Sequence, residues 1–338
     1  MPVIGIDLGG TKITGAVFSR EGEILYKQSA LLEQRQGKEV GELVRAIISK
    51  CSRQSAVAVG SRQSDDSGYS NSGASPLPTE NCPLPTAIGV CVPGIANSKT
   101  GKVWAPNIAG WEDYPLQQEL EASFPAAKIN IASDRTCYIL GECWKGAAQG
   151  CSNALFIAVG TGIGLGILAD GRVLHGHGDI VGATGWMALE SPYREEYKRY
   201  GCFESHASGN GIARQAQKIL EEGHLFKDSP LYHKTPASIT TQELFEYYAQ
   251  NDPLAMHVLD RAITLWGMAA ANLTSLFNPE KIIWGGGVFG PAAVFLARIY
   301  HEACRWAQPL AIRQVSFEPS RLCGNAGLFG AGSLGSMR

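Results

Sequence analysis

Three glycine-rich segments carry the residue types that hold phosphate groups. The first, Gly9-Gly10-Thr11-Lys12, directly follows an apolar stretch and offers two backbone amides, a hydroxyl and an ammonium group. Phosphate oxygens need N–H donors at close range, and glycine lets the backbone approach them without a clash. Asp7 precedes this turn and could order Mg²⁺ or its water shell, since magnesium prefers oxygen ligands. A tight hairpin turn without a ligand is the alternative interpretation.

The second and third segments are GTGIGLG, which contains Thr161 and Gly162, and WGGGV, which contains Gly286 and Gly287. The last one could let a nucleobase or ribose lie against the backbone. None of the three is a Walker A motif, and GTGIGLG does not have the glycine spacing of a dinucleotide fingerprint. Each turn alone is equally well explained as structural. Three of them, each at the end of a predicted strand, favour nucleotide binding.

Asp134 is the strongest candidate for an acceptor-side residue. It ends the apolar segment KINIAS and begins a helical pattern, and α/β sheets present ligands at such junctions. A carboxylate there could take the proton from a substrate hydroxyl as that hydroxyl attacks a γ-phosphate. A helix N-cap is the structural alternative, because aspartate fills that role well.

Other polar positions could contact a polyol, although each is individually weak. Gly94 lies in VPG, Asn107 in APN and Glu204 in GCFES. Asn107 is equally interpretable as a turn residue and Glu204 as a surface charge. His175 and His177 are two apart in a glycine loop, and an ordinary loop is the favoured interpretation over a metal pair.

The elements that must position these residues alternate between strand and helix, which indicates an α/β architecture with a mixed sheet. IDLGGTKITGAVFSREGE and IAVGTGIGLGILADGRVL both run strand, turn, strand, turn, so two similar halves are a further hypothesis. Residues 52–86 are rich in Ser, Gly, Pro, Asn and Gln, and we expect an exposed insertion there rather than a binding loop. The predicted strands are 2–7, 12–18 and 23–30, and the predicted later helices are 210–221, 240–249, 252–277, 291–305 and 324–334.

The composition is that of a soluble globular protein of 338 residues, with 45% hydrophobic and 18% charged residues. The net charge of -2 provides no basic field, so nucleic acid is not an expected partner. No apolar run approaches the roughly 18 residues of a membrane span, and no signal peptide is expected at the N-terminus. The nine cysteines form no Cys-x-x-Cys pair, so we expect reduced thiols and a cytoplasmic protein.

The order of the motifs resembles that of the ROK family, which groups bacterial sugar kinases with sugar-responsive repressors. The resemblance covers nearly the whole chain outside 52–86. It is carried by IGIDLGGTKITGAVF, VPGI, TGKVWAPNIAGW, SDRTCYILGE, VGTGIGLGILADGRVLHG, GCFESHASG, NPEKIIWGGGV and AGLFGAG.

The resemblance implies two actin-like (ribonuclease H-like) domains with mixed sheets flanked by helices, which close on a cleft holding ATP, Mg²⁺ and a sugar. The expected domains are 1–133, onto which the C-terminal helix 324–338 packs back, and 134–323. Asp134 matches the catalytic aspartate, and Ser133 replaces the asparagine that usually precedes it. Together with Asp7, the implied ATP contacts are Gly9, Gly10, Thr11, Lys12, Thr161, Gly162, Gly286 and Gly287. The implied sugar contacts are Gly94, Asn107, Ser133, Asp134, Trp186 and Glu204.

The chain departs from the family pattern at two places. GATGW stands where Gly-Glu-x-Gly-His is usual, so Ala183 replaces a glutamate and Trp186 a histidine that bind sugar hydroxyls. The usual Cys-x-Cys-x4-Cys is reduced to Cys202 in PYREEYKRYGC. One thiol cannot form a tetrahedral zinc site, so no zinc is predicted. The loss of two polar ligands predicts an altered acceptor pocket.

The leading hypothesis is an ATP-dependent sugar kinase that acts on a hexose such as glucose or on an N-acetylhexosamine. The alternatives are a sugar-binding sensor of the ROK type without catalysis and a degenerate kinase. ROK repressors carry a helix-turn-helix before the first phosphate loop; because GIDLGG begins at residue 5, none is expected here. Similar kinases are commonly dimers, so the resemblance also implies a homodimer.

Overall fold

The computed structural model describes residues 2–63 and 87–336. Its strands are β1 (Val3–Leu8), β2 (Lys12–Phe18), β3 (Ile24–Leu31), β4 (Ala87–Val92), β5 (Ile95–Ala96), β6 (Val103–Trp104), β7 (Lys128–Ser133), β8 (Ala154–Val159), β9 (Ile163–Ala169), β10 (Arg172–Val173), β11 (Lys281–Gly285) and β12 (Ser316–Pro319). Its helices are α1 (Gly37–Gln63), α2 (Leu116–Ser123), α3 (Asp134–Lys145), α4 (Tyr197–Tyr200), α5 (Cys202–Ala207), α6 (Gly209–Glu222), α7 (Thr241–Tyr248), α8 (Pro253–Phe277), α9 (Leu296–Trp306) and α10 (Ala326–Ser336).

The chain divides into two compact units. The first comprises Met1–Gly146, His175–Ile180 and Asn325–Arg338, and the second comprises Ala147–Leu174 and Val181–Gly324. This division differs from the expected boundary at residue 133, because α3 packs extensively on α10 and so belongs to the first unit. The short segment His175–Ile180 also belongs to the first unit rather than to the second.

Each unit contains a five-stranded mixed sheet of the same design. The order is β3-β2-β1-β4-β7 in the first unit and β10-β9-β8-β11-β12 in the second. In both sheets the first two strands pair antiparallel across a glycine turn, while the later strands are parallel. The repeated strand-turn-strand pattern in the sequence therefore corresponds to a repeated sheet topology.

Close packing of α10 fixes the carboxyl end of the first sheet. A Cβ atom added at Gly141 of α3 would collide with the carbonyl oxygen of Ala326, and one added at Gly330 would collide with that of Cys137. Helices can approach this closely only where side chains are absent. The glycine-rich sequence AGLFGAG thus brings the start of α10 to the end of the sheet where β1 ends and α3 begins.

The predicted insertion at 52–86 is wrong in its first part. Residues 52–63 continue α1 as helix, so the Ser- and Gln-containing stretch after Lys50 does not interrupt it. The remainder, 64–86, lies outside the described residues. The sequence also gave no indication of the short helices α2 and α5, which the structure contains.

A search of residues 2–63 and 87–336 finds no helix with the combination of length and apolar character needed to cross a bilayer. The longest apolar helix, α8, buries Leu259, Ile263 and Trp266 in the core of the second unit.

Candidate functional site

The first glycine turn connects β1 and β2 in the first unit. The amide of Gly9 donates to the carbonyl oxygen of Lys12 at 2.9 Å, which closes the turn. Gly10, Thr11 and Lys12 are exposed, so their amides, hydroxyl and ammonium group are available to a ligand. Asn107 lies beside the turn, since a Cβ atom added at Gly10 would stand 3.3 Å from the Cβ of Asn107. The structure therefore brings a predicted sugar contact next to a predicted phosphate turn.

Asp7 points into the crowded end of the first sheet. It is the register partner of Cys91 on β4, and a Cβ atom added at Gly327 of α10 would lie 2.8 Å from its Oδ1. Burial raises the pKa of the Asp7 carboxyl, while a hydrogen bond from Cys91 and the charge of Lys12 lower it. Because burial outweighs these two effects, the neighbours of Asp7 do not fully compensate its negative charge.

Asp134 is the first residue of α3, at the point where β7 ends. Ser133 is the N-cap of this helix, because its hydroxyl accepts a hydrogen bond from the amide of Thr136. The alternative that Asp134 serves as the N-cap is therefore wrong. Its Oδ1 accepts a hydrogen bond from the amide of Arg135 at 2.8 Å, and the carboxylate remains free for another role.

The surroundings of Asp134 raise the pKa of its carboxyl group from 3.8 to about 6. Burial is the largest cause; the positive charge and the amide of Arg135 oppose it, and the negative charge of Asp7 adds to it. The two carboxylates thus influence each other within one unit. A carboxyl group with this pKa is ionised at neutral pH and is still basic enough to accept a proton.

Arg135, which the sequence interpretation did not single out, connects three parts of the first unit. Its guanidinium donates to the carbonyl oxygens of Gly94 and Ile180, each at 3.3 Å. Gly94 has φ = +89°, and a Cβ atom there would collide with the carbonyl oxygen of Trp104. Glycine is therefore required at this turn, and its carbonyl is held beside the start of α3.

The second glycine turn connects β8 and β9 in the second unit. The amide of Gly160 donates to the carbonyl oxygen of Gly162 at 2.9 Å, and Thr161 is exposed between them. Glu204 lies directly against this turn, because its Oε2 accepts a hydrogen bond from the amide of Ile163 at 2.8 Å. Burial raises the pKa of the Glu204 carboxyl, which that hydrogen bond and the charge of Arg214 lower. Glu204 is thus not an isolated surface charge.

The third glycine turn follows β11 and shares a cavity with the second. Gly286 has φ = +87°, and a Cβ atom there would collide with Val159, whereas one at Gly287 would meet open space. A cavity of about 440 Å³ contacts both Thr161 and Gly287. The full set of lining residues is Gly160, Thr161, Gly209, Asn210, Ala213, Arg214, Gln217, Ile239, Thr240, Thr241, Gly287 and Val288.

One wall of this cavity is a helix face that the sequence interpretation missed. Asn210, Arg214 and Gln217 lie on α6 at the spacing of one helix face, which was a detectable signal. The Arg214 guanidinium lies 4.2 Å from the centre of the Tyr200 ring, and its Nη2 is buried without a hydrogen-bond partner among the described residues. Thr240 and Thr241 at the start of α7 add hydroxyl groups to the opposite side.

The two departures from the family pattern lie at a 3-10 turn over Thr184–Trp186: Ala183 directly precedes the turn and Trp186 is its last residue. Trp186 is 57% exposed, so the indole is free to contact a ligand. The preceding Gly185 packs on Glu204, since a Cβ atom at Gly185 would lie 2.7 Å from its Oε2. The altered GATGW segment therefore lies beside one of the predicted sugar contacts.

The two units hold different subsets of the predicted site. The first unit contains Asp7, Gly9, Gly10, Thr11, Lys12, Gly94, Asn107, Ser133 and Asp134. The second contains Thr161, Gly162, Trp186, Glu204, Gly286 and Gly287. His175 and His177 are exposed. Within residues 2–63 and 87–336, no group of three or more His, Cys, Asp or Glu side chains is arranged to hold a metal ion.

Comparison with known proteins gives a consistent assignment. A glucokinase from Halalkalibacterium halodurans is 32% identical over 333 residues, which are 98% of this chain and 94% of that protein. The ROK hexokinase from Thermus thermophilus matches with a TM-score of 0.77 and 27% identity, over 99% of this chain and 98% of that one. A ROK family glucokinase from Streptomyces griseus, in complex with glucose and AMPPNP, matches with a TM-score of 0.72 and 25% identity, over 99% of both chains.

These neighbours are sugar kinases with the actin-like ATPase fold, and the mixed sheets flanked by helices described above are that fold. Residues 80–337 match the ROK family itself. Since this match spans well over half of the sequence, the chain belongs to the ROK family.

Proposed function

We propose that the protein is an ATP-dependent sugar kinase, which transfers the γ-phosphoryl group of ATP to the 6-hydroxyl of a hexose such as glucose or of an N-acetylhexosamine. The single observation that carries this proposal is Asp134, an ionisable group with a pKa of about 6 at the junction of β7 and α3. The glucokinase relative and the neighbour bound to glucose and AMPPNP support the same class of reaction.

Asp134 is the general base in this proposal. At pH 7 to 8 its carboxylate is ionised and accepts the proton of the attacking sugar hydroxyl. The sugar oxygen forms a bond to the γ-phosphorus as the bond from that phosphorus to the β,γ-bridging oxygen breaks, and ADP leaves. The proton stays on Asp134 until it passes to solvent. Positioning and electrostatic stabilisation supply most of the rate enhancement in phosphoryl transfer.

The cavity of the second unit is the proposed site for the nucleoside end of ATP. Thr161 and the neighbouring amides are donors for phosphate oxygens, and Arg214 supplies the positive charge that an anionic ligand requires. An adjoining cavity of about 430 Å³ shares Gly287 and adds the apolar surfaces of Phe245 and Pro291, which suit a flat base.

The first unit supplies further phosphate-binding groups and fits Mg²⁺. Gly10, Thr11 and Lys12 present donors and positive charge to phosphate oxygens. Asp7 and Asp134 offer carboxylate oxygens; burial raises the pKa of both, the charge of Asp7 raises that of Asp134 further, and a divalent cation beside them would relieve that cost. When bound with ATP, magnesium neutralises charge on the phosphates. In this proposal Asp7 orders its water shell.

The acceptor contacts are those predicted beside the two phosphate turns. Asn107 in the first unit offers an amide and Glu204 in the second a carboxylate to sugar hydroxyls, while Gly94 lets the first unit's chain turn closely at Trp104. Ala183 and Trp186 remove two polar contacts and add an indole, so we propose that the pocket selects a different set of substituents from a glucose-specific relative.

A screen of ATP consumption over hexoses, N-acetylhexosamines and polyols tests the proposal. We expect turnover on at least one hexose or N-acetylhexosamine, with the phosphate located on the 6-position by NMR. Asp134→Asn should lower kcat on the order of 10²–10⁴-fold, while Asp228→Asn, which removes an exposed carboxylate from the second unit, should leave it unchanged. Sugar binding by thermal shift without turnover would instead establish a sensor, and near-normal turnover by Asp134→Asn would overturn the assigned base.

A further inference from the structure

The region where the family pattern places zinc contains side chains that do not fit this metal. A Cys-x-Cys-x4-Cys motif ending at Cys202 would require thiols at 195 and 197, which are Glu195 and Tyr197 in this chain. The histidine position is Trp186, whose indole nitrogen is a donor only. Tetrahedral zinc sites of this type use sulfur and imidazole ligands, so the donor set does not match.

A hydrogen-bonded cluster occupies this region. The Tyr197 ring is 4% exposed and His206 is 5% exposed, and the phenol oxygen lies 2.8 Å from Nε2 of His206. Oε2 of Glu190 lies 2.9 Å from the same nitrogen, an ion-pair distance without the angle of a hydrogen bond. With its hydrogen on Nε2, the imidazole donates to the phenol oxygen of Tyr197 and faces the Glu190 carboxylate with a positive partial charge, so this tautomer suits both neighbours. Three polar groups from separate segments thus meet at one buried atom.

Charges on neighbouring elements complete the cluster. Oε1 of Glu190 accepts a hydrogen bond from Arg261 of α8 at 2.6 Å, and Arg194 lies 3.9 Å from it. Burial lowers the pKa of His206, which the Glu190 carboxylate raises and the two arginines lower further. A buried carboxylate needs such positively charged partners, because a buried charge without a partner destabilises the folded protein.

The cluster adds buried side-chain contacts between segments that also meet through the backbone of α5, where the amide of Phe203 donates to the carbonyl oxygen of Met187 and the indole of Trp266 donates to that of Ala207. His206 lies on α5, Tyr197 on α4, Glu190 on the segment before α4 and Arg261 on α8. We propose that Glu190, Tyr197, His206 and Arg261 form a metal-free clamp, which replaces zinc in fixing α5 against the segment 187–201. The clamp also positions Glu204, since that residue lies on α5 two positions before His206 and reaches the second glycine turn.

Tyr197→Phe removes the phenol hydroxyl from the clamp and keeps the ring. Its matched control is Tyr193→Phe, because Tyr193 is 63% exposed and contacts Tyr197 only edge to face, at 5.9 Å between ring centres. Hydrogen exchange of residues 187–207 should become about five- to tenfold faster in Tyr197→Phe, the effect of one lost buried hydrogen bond. The control should exchange as the wild type does.

Metal analysis of the wild-type protein, expressed with added zinc and then passed over a desalting column, tests the other half of the proposal. We expect no stoichiometric zinc, and no change in the unfolding midpoint when a zinc chelator is added. Tyr197→Cys restores one family thiol, and we expect it to lose the clamp without gaining zinc. One equivalent of zinc that the chelator removes with a fall in the midpoint would overturn the clamp, as would wild-type exchange in Tyr197→Phe.

The effect on substrate rests on the proposed function. Through Glu204, Tyr197→Phe should raise the KM for the sugar several-fold and leave the KM for ATP and kcat within about twofold of wild type, a pattern that general destabilisation does not produce. If no sugar is turned over by any variant, the proposed kinase function fails. The exchange and metal measurements still decide the clamp in that case.

Discussion

Replacing Asp134 with asparagine should make the protein more stable while it abolishes most of the proposed activity. The carboxyl pKa rises from 3.8 to about 6 on folding, because burial disfavours the charged form. At about 1.4 kcal/mol per pH unit, this rise of roughly 2 pH units costs the folded protein about 3 kcal/mol when the group is ionised. Asparagine has nearly the same shape, and its side-chain oxygen can still accept the amide hydrogen bond of Arg135.

The sign of the pH dependence follows from proton binding. Between about pH 4 and pH 6 the folded state holds a proton on Asp134 that the unfolded state has released, so stability falls as pH rises through this window. Above about pH 6 the folded protein bears the full free-energy cost of the ionised Asp134 carboxylate, and below about pH 4 this cost is absent. Asparagine gives up an interaction of about 0.3–1 kcal/mol with the N-terminus of α3. The expected net gain for Asp134→Asn is therefore about 2 kcal/mol at pH 8 and close to zero at pH 4.

Urea unfolding of the wild type and Asp134→Asn at pH 8 and pH 4, without substrate, measures this difference, with Asp228→Asn as the control. We expect a higher unfolding midpoint for Asp134→Asn at pH 8 only. A midpoint at pH 8 equal to or below that of the wild type would refute the reasoning, as would the same gain at both pH values. Active sites commonly hold such groups at a cost in stability.

Four further substitutions test other contacts of the site. Arg135→Met removes a positive charge that lowers the pKa of Asp134, so the acidic limb of the kcat/KM profile should move to higher pH; an unchanged limb would contradict this electrostatic role. Gly286→Ala forces a left-handed conformation and a collision with backbone, so it should lower the free energy of unfolding by about 1–3 kcal/mol. A Cβ atom at Gly287 meets open space, so Gly287→Ala should fold normally but raise the KM for ATP. Equal stability of the Gly286→Ala and Gly287→Ala variants would argue against the described turn. Glu204→Gln should weaken sugar binding more than ATP binding, as separate titrations would measure.

The local sequence was sufficient to predict those features of the fold that a single short segment determines. The three glycine turns and the junction at Asp134 were predictable, because strand ends and backbone-permissive residues are encoded within a few positions. The predicted opening strands 2–7, 12–18 and 23–30 differ from β1, β2 and β3 by one residue at most of their ends. The resemblance to the ROK family then implied how these segments are distributed between two actin-like domains.

Contacts between distant segments were not predictable in the same way. The helical spacing could indicate that Arg214 shares a face with Asn210, but not that this face lines the cavity of the second unit, because that depends on how the start of α6 meets the second glycine turn, where the amide of Gly209 donates to the carbonyl oxygen of Gly160. Nor could it assign the pKa of Asp134, since Asp7 lies 127 positions away in the chain and burial is a property of the folded unit. Composition also misled at 52–63, where a stretch containing Ser, Arg and Gln continues helix α1 rather than beginning an insertion.

The acceptor contacts and the phosphate turns are structurally coupled at two glycines. Asn107 packs against Gly10, and the carboxylate of Glu204 packs against Gly162, where an added Cβ atom would lie 2.6 Å from Oε2. In the proposed kinase, glycine at these positions therefore serves two purposes: it exposes backbone amides toward phosphate, and it leaves room for a side chain that faces the sugar. A larger residue at Gly162 would displace Glu204 as well as the turn. Under the proposed function we therefore expect that sugar selection and phosphate binding cannot be altered independently at either turn. Neither Ala183 nor Trp186 is among the nearest neighbours of Gly10 or Gly162, so we expect changes there to alter the acceptor while the phosphate turns remain intact.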